Sequence, residues 1–227
     1  MSAHSARKWR FPISTPGPST PPLSKQERIL EAAIQVFAEK GFYNARVSDV
    51  AKRAEVADGT IYLYFKSKDD LLIQLFENRM NEIITRFRQR LDEVPTASQK
   101  LRRFIQLQLE LVAEHPTLAE VLTVELRQSG KFMREYKPKK FGEYLDIIEE
   151  IVEEGKRAGE FDPAADGRVL KRALFGALDE VSLYWLQGCA AGREPYALPL
   201  AADQIWRACA HGFLLGPVAE QVTMEDL

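Results

Sequence analysis

The chain has 227 residues, 45% hydrophobic and 28% charged, a balance that excludes a disordered, collagenous or disulfide-stapled chain. Its formal net charge of −2 is unevenly spread: residues 1–68 carry 11 basic and 6 acidic side chains, residues 69–227 carry 20 and 27. A basic N-terminal module on an acidic body suits a nucleic-acid reader joined to something else.

Residues 1–23 hold five of the 12 prolines amid Ser and Thr. Such a segment cannot bury enough apolar surface to order itself, so it reads as a flexible arm. Its Arg7, Lys8 and Arg10 either touch DNA phosphates or stay solvated. It lacks the apolar block of a signal peptide. Ser24-Lys-Gln-Glu27 is then a capping box opening a first helix. Leu30, Ala33, Ile34 and Phe37 recur at helical spacing, and Gly41 supplies the stop. A short second helix is predicted over Val47–Ala54.

The next stretch, VADGTIYLYF, poses a conflict. Thr60, Tyr62 and Tyr64 alternate with Ile61, Leu63 and Phe65, the period of a strand. No partner strand is visible, and no turn separates this stretch from the helical pattern that follows. Two helices joined by a tight turn account for it better. Val50 and Ala54 face inward, Ala51 is small enough for close crossing, and Val56 plugs the turn. Ile61 and Tyr64 complete the packing from a third helix over residues 58–65. Asp58 opens that helix and is expected to cap the N–H of Thr60 or Ile61.

From residue 67 the pattern is helical. Ser67–Asp92 has Ser67 as N-cap, with Asp69 and Asp70 in the first turn at the positive end of the dipole. Thr96–Glu114, Thr117–Gln128, Phe141–Ala158, Pro163–Gln187 and Leu198–Leu215 follow. The most apolar stretch, ALFGALDEVSLYWL, is interrupted by Asp179 and Glu180 and is too short for the roughly 20 residues of a membrane helix. A buried carboxylate needs a partner, so at least one of these two is expected to meet a donor at an interface or in a pocket. Cys189 and Cys209 form no CxxC pair or disulfide framework, which points to a reducing, cytoplasmic setting. The expected architecture is all-α, with about nine helices. A three-helix helix-turn-helix head over 24–70 shares its fourth helix with a larger body over 71–227.

The stretch ILEAAIQVFAEKGFYNARVSDVAKRAEVADGTIYLYFKSKDDLL, from Ile29 to Leu72, closely resembles the DNA-binding head of the TetR family of bacterial transcription regulators. Two positions depart from the pattern. Glu55 stands where such turns usually have Gly, and Arg46 where a Ser or Thr cap is usual. The resemblance implies that Thr60 and Tyr62 meet bases and backbone, and that Tyr64 and Lys68 occupy phosphate-contacting positions. For Tyr64, core packing remains the alternative. Arg46, Ser48 and Lys52 would hold flanking backbone, and Gly59 would let the chain approach DNA closely.

For the body, the resemblance implies a small-molecule site and a dimer. VELRQS, EGKRAGEF and FGALDEVSLYW, with the head, are similar to the fatty-acyl-CoA-responsive FadR-like branch. A long-chain acyl-CoA effector would then be lined by Phe87, Phe104, Leu107, Leu111, Leu122, Leu126, Tyr144, Ile148 and Leu178, residues that plain core would equally explain. Arg127 and the KFMREYKPKK run (Lys131, Arg134, Lys137, Lys139, Lys140) would meet its phosphates, unless they form a solvated face. Ala173, Gly176, Ala177, Ala201, Ala202, Ala208 and Gly212 would let the last two helices pair across a homodimer. His4, His115 and His211 show no metal spacing, and no nucleophile is grouped with a base, so no metal, cofactor or catalysis is expected. The expectation is a ligand-responsive repressor on a palindromic double-stranded operator, controlling fatty-acid degradation or lipid genes. A multidrug-efflux regulator, or a lipid-binding protein with an unused head, stands as the alternative.

Overall fold

The computed structural model describes residues 23–126, 139–193 and 195–213, without the side chains of 211–213. The N-terminal arm to residue 22, Arg127, Lys131, Arg134, Lys137 and the His211 side chain lie outside the described residues. The architecture is all-α, with nine α-helices among the described residues. They are α1 Lys25–Lys40, α2 Val47–Arg53, α3 Asp58–Tyr64, α4 Lys68–Leu91, α5 Ala97–Glu114, α6 Pro116–Glu120, α7 Lys139–Ala158, α8 Gly167–Ala190 and α9 Leu198–Phe213. A single π-helical turn, Val121–Glu125, continues α6.

The chain divides into two compact units. The first takes in the described residues up to Glu77 and from Glu114 to Leu126, the second those from Asn78 to Ala113 and from Lys139 onward. In the first unit α1 packs on α2, α2 on α3, and α1 also on α6 and the π turn. In the second, α7 packs against α8.

Local chemistry explains the first unit's element ends. Ser24 Oγ accepts from the Glu27 N–H at 3.1 Å, the capping half that satisfies an orphan donor of α1. Ile29, Leu30, Ala33, Ile34 and Phe37 then form one buried face, and Gly41 stops the helix at φ 74°. Arg46 has no Ser or Thr hydroxyl to offer α2, but Asp49 accepts the Arg46 N–H at 3.0 Å and keeps half of a capping box. After α2, the Glu55 N–H bonds Lys52 O and the Val56 N–H bonds Ala51 O, the two reverse bonds of a Schellman turn. Glu55 supplies the left-handed residue at φ 54°, where glycine would be unstrained.

Four expectations need correction. Asp58 is the first helical residue of α3, with Ala57 as the N-cap and no side-chain capping bond. At that position its exposed carboxylate offers charge to the helix dipole and no cap. Tyr64 does not complete the packing: α3 ends there, and extended backbone at Phe65 (φ −133°, ψ 128°) turns that ring into the core instead. The sixth helix begins one residue earlier, at Pro116, whose missing N–H costs nothing at a helix start, and passes into the π turn. Helix α8 begins at Gly167, four residues after Pro163. Asp162 folds back on the Ala164 N–H in an Asx turn, and Asp166 then caps the Arg168 N–H at 2.9 Å.

Candidate nucleic-acid interface

Helix α3 has two faces of opposite character. Ile61 is buried against α2, while Leu63 is 81% exposed, Tyr62 59% and Tyr64 38%. At 100° per residue, Leu63 stands about 200° from Ile61, so anchoring Ile61 inward forces Leu63 outward. Thr60 is half-buried at the edge of this surface, and Gly59 lies fully on it. A Cβ added to Gly59 would meet no other atom of the described residues within 4 Å, so packing among them does not call for a glycine here. Large apolar side chains grouped in solvent on one short helix are a feature that contact surfaces share.

Helix α2 flanks it with Arg46, Ser48 and Lys52, all exposed. Other nearby charges are tied down. Lys40 pairs with Asp49 at 2.7 Å, and that hydrogen bond is the first reason the Asp49 carboxyl sits below its ordinary pKa. Arg53 is bidentate to Glu39 at 2.8 and 2.6 Å. Tyr43, 67% exposed on the α1–α2 connection, and Leu63 are surface residues the sequence reading did not assign. For Leu63 the signal was present, since the same wheel that places Ile61 inward places it outward.

Lys68 is positioned differently from the other cations. Ser67 caps α4 by accepting the Asp70 N–H at 3.1 Å. From the first residue of that helix, Lys68 Nζ donates to the carbonyls of Phe42 (2.6 Å), Tyr43 (3.1 Å) and Ala45 (3.0 Å). It also lies 4.6 Å over the Phe42 ring. An ammonium has three hydrogens, so these bonds occupy all of them. Its positive charge stays near the surface; its hydrogen bonds belong to the 42–45 loop.

The residues predicted to line an effector site divide between the units. Phe87, Phe104, Leu107, Leu111, Tyr144, Ile148 and Leu178 belong to the second, and all are buried. Phe87, Phe104 and Tyr144 form a triangle of rings with centroids 5.2–5.7 Å apart, extended by Phe141 and Phe175. The Tyr144 hydroxyl donates to Gln108 Oε1 at 2.7 Å. Burial, then the nearby Asp179 carboxylate, raises that hydroxyl's pKa. Asp179 is thus half-buried beside Tyr144, while Glu180 is exposed on α8. Leu122, half-buried, and Leu126, buried, belong to the first unit. The cleft of about 300 Å³ at the start of α8 is polar, lined by Glu149, Glu153, Lys156, Asp166 and Arg168 among others, and shares no residue with the predicted lining.

On α8, Val169, Ala173, Gly176, Ala177, Glu180 and Tyr184 recur on one exposed face. On α9, Ala208 is exposed and Ala201 half-buried, while Ala202 is buried within its own chain. None of the helices described is long and apolar enough to cross a membrane.

Residues 29–75 match the family described as bacterial regulatory proteins, tetR family, and residues 76–212 match the YsiA-like protein C-terminal region. The chain is similar to the fatty acid metabolism regulator protein of Bacillus subtilis (strain 168). The two are 40% identical over 162 residues, 71% of this chain and 84% of that protein. Among solved structures it is similar to the transcriptional regulator FadR from Bacillus subtilis in complex with stearoyl-CoA. That match has 36% identity and a TM-score of 0.75, over 82% of this chain and 97% of that one. The fatty acid degradation regulator FadR from Bacillus halodurans matches at 34% identity and a TM-score of 0.77, over 85% and 98%.

Proposed function

The chain belongs to the tetR family of bacterial regulatory proteins, and on that premise we propose that it is a homodimeric, acyl-CoA-responsive repressor of fatty-acid degradation or related lipid genes. It acts in the cytoplasm and catalyses no reaction. The observation that carries the DNA-reading half is α3, which offers Thr60, Tyr62 and Leu63 outward over a buried Ile61. A threonine hydroxyl and methyl, a tyrosine hydroxyl and a leucine side chain suit base edges and thymine methyls in a major groove. Arg46, Ser48, Lys52 and Tyr64 hold the phosphates on either side, and Gly59 permits close backbone approach. Lys68 contributes charge and the rigidity of the loop it binds.

The head is residues 24–70 and the effector-binding, dimer-forming body 71–227. Two copies pair through the exposed faces of α8 and α9, where alanines and glycines allow close helix approach. Two-fold pairing places two α3 helices on half-sites about one turn, ~10 base pairs, or a multiple apart on a palindromic operator.

The effector is a long-chain acyl-CoA, a reading supported by the stearoyl-CoA complex of the similar Bacillus subtilis FadR. The buried cluster of Phe87, Phe104, Leu107, Leu111, Tyr144, Ile148 and Leu178 supplies apolar lining for the chain. Each CH₂ buried there would contribute about 0.8 kcal/mol, so the depth of the lining sets the preferred length. Titrating stearoyl-CoA against the protein on its operator tests this reading. Binding should weaken by roughly 5–150-fold, the usual span of allosteric coupling. Unchanged operator affinity at saturating stearoyl-CoA contradicts it.

A further inference from the structure

Among the described residues Glu125 is the only buried carboxylate, 6% exposed. Its Oε2 accepts the Phe42 N–H at 2.5 Å across 83 residues of sequence. A methyl on Gly41 would lie 3.6 Å from the same oxygen, so the carboxylate fits closely over the end of α1. The other side of residue Phe42 is also held, because its carbonyl, in the next peptide unit, accepts from Lys68 Nζ at 2.6 Å. The two peptide units that meet at Phe42 are therefore each gripped by a charged group, one through its N–H and the next through its C=O, from two different helical segments. Charge-assisted bonds of this kind are about twice as strong as neutral ones.

What this grip positions is the 41–46 connection, which fixes where α2 begins and so where Arg46 and Ser48 are presented. Through α2, against which α3 packs, it also fixes the reading helix. The segment carrying Glu125 belongs in sequence to the body, yet it is compact with the head.

Glu125 ends the π turn Val121–Glu125, and the Leu126 N–H after it donates to both Val121 O and Val124 O. A π turn holds one residue more than the α-helix it interrupts, and such turns concentrate at functional sites. Relaxing it to α geometry shifts the register by one residue, a rotation of about 100°. A rotation of that size withdraws the Glu125 carboxylate from Phe42. The π register shown is thus the one that makes the bond, and an α register would not make it.

We propose that Glu125 is a positioning residue for operator binding, holding the head's first connection through Phe42, and that the register of the Val121–Glu125 turn carries the effector's influence to the head. The second half rests on the acyl-CoA reading above.

The test uses the full-length protein and three variants, Glu125→Ala, Glu125→Gln and Glu125→Asp. Amide hydrogen exchange at Phe42 reads the grip directly, with Phe37 in α1 as the internal control. Glu125→Ala should speed Phe42 exchange by about tenfold or more and leave Phe37 unchanged, whereas Glu125→Gln, which keeps an acceptor of the same reach, stays near wild type. Should the alanine variant fail to fold, Glu125→Asp withdraws the carboxylate by one methylene and should speed Phe42 exchange in the same direction. In parallel, the ratio of operator affinities without and with stearoyl-CoA should collapse from the wild-type value, roughly 5-fold or more, towards one in Glu125→Ala, and be restored in Glu125→Gln. Equal Phe42 exchange in wild type and Glu125→Ala overturns the positioning role, and a full stearoyl-CoA response in Glu125→Ala overturns the coupling. If the wild-type protein ignores stearoyl-CoA, the effector reading and the coupling fall together, and Phe42 exchange alone decides the positioning role.

Discussion

In α3 a leucine and two tyrosines are left in solvent beside the buried Ile61, whereas in the second unit five rings each lie within 6.5 Å of at least two others and Phe87, Phe104 and Tyr144 are almost wholly enclosed. The two regions therefore speak about function unequally. Large apolar side chains held in water need a reason outside the chain, and a recognition surface supplies one. Buried rings need no such reason, because core and ligand lining look alike until something occupies the space.

Changes that separate the inward from the outward side chains of α3 and its C-cap Phe65 have the largest expected effect. Phe65→Ala should cost about 3–5 kcal/mol, as other buried phenylalanine truncations do, measured by urea unfolding. A near-neutral result would remove the inward half of the contrast. Tyr62→Ala should do the reverse. Its stability should stay within about 0.5 kcal/mol of wild type, while operator binding weakens by about 1–3 kcal/mol, or 5–150-fold, in fluorescence anisotropy. Loss of stability equal to the loss of affinity would place Tyr62 with the core.

In the ring cluster, Tyr144→Phe leaves Gln108 Oε1 without its donor and should cost about 1 kcal/mol in thermal unfolding. A matching fall in stearoyl-CoA affinity identifies the cluster as lining; stability loss alone makes it plain core. Glu55→Gly should stabilise the head by about 0.8 kcal/mol, the difference between the centres of two ranges. That is the left-handed strain of about 1–2 kcal/mol less the glycine's unfolded-state entropy of about 0.4–1 kcal/mol. An unchanged unfolding midpoint would mean the strain is relieved elsewhere.

The smallest effect is electrostatic. The Ser98 backbone N–H, more than any other group, holds the Glu160 carboxyl below its ordinary 4.5. Arg168, chiefly through its side chain, brings Asp166 down to about 2. Both folded values are depressed, so the unfolded chain binds more protons in this range and stability rises with pH. The contribution is complete above the unfolded values, near 4.5 and 3.8, and is lost as pH falls through the folded ones. Acid unfolding of Glu160→Gln should show a shallower pH dependence below about 4.5 than wild type, and an identical slope would remove Glu160 from the account.

How much of this was legible in the sequence follows from where each signal resides. The head was readable because its constraints are local. Ser24 with Glu27, Gly41, the Val50–Ala51–Val56 spacing and Ser67 all act within a few residues of themselves. The Glu55 departure from the usual Gly fell at the one position whose backbone turned out to be left-handed without a glycine among the described residues. For Tyr64 the sequence left packing and phosphate contact both open, and the packing place is taken by Phe65, which extended backbone turns into the core. The start of α8 was set too early because an Asx turn competed with the helix for Pro163. Lys68 and Glu125 were opaque for a deeper reason. Their partners are backbone groups 23 to 26 and 83 residues away, and every residue type has those. The π turn carries no residue pattern of its own. Helical periodicity selected residues that are buried, apart from the half-buried Leu122, and could not say which of them face a ligand.

The most direct measurement is selection of the wild-type protein's preferred sites from random duplex DNA, repeated with Tyr62→Ala. The wild-type chain should enrich a two-fold symmetric sequence with half-sites about one helical turn, or a multiple, apart, and the Tyr62→Ala chain, with its helical circular dichroism intact, should not. Absence of any enriched sequence, or recovery of the same palindrome by Tyr62→Ala, would contradict the assignment of α3 as the reading helix.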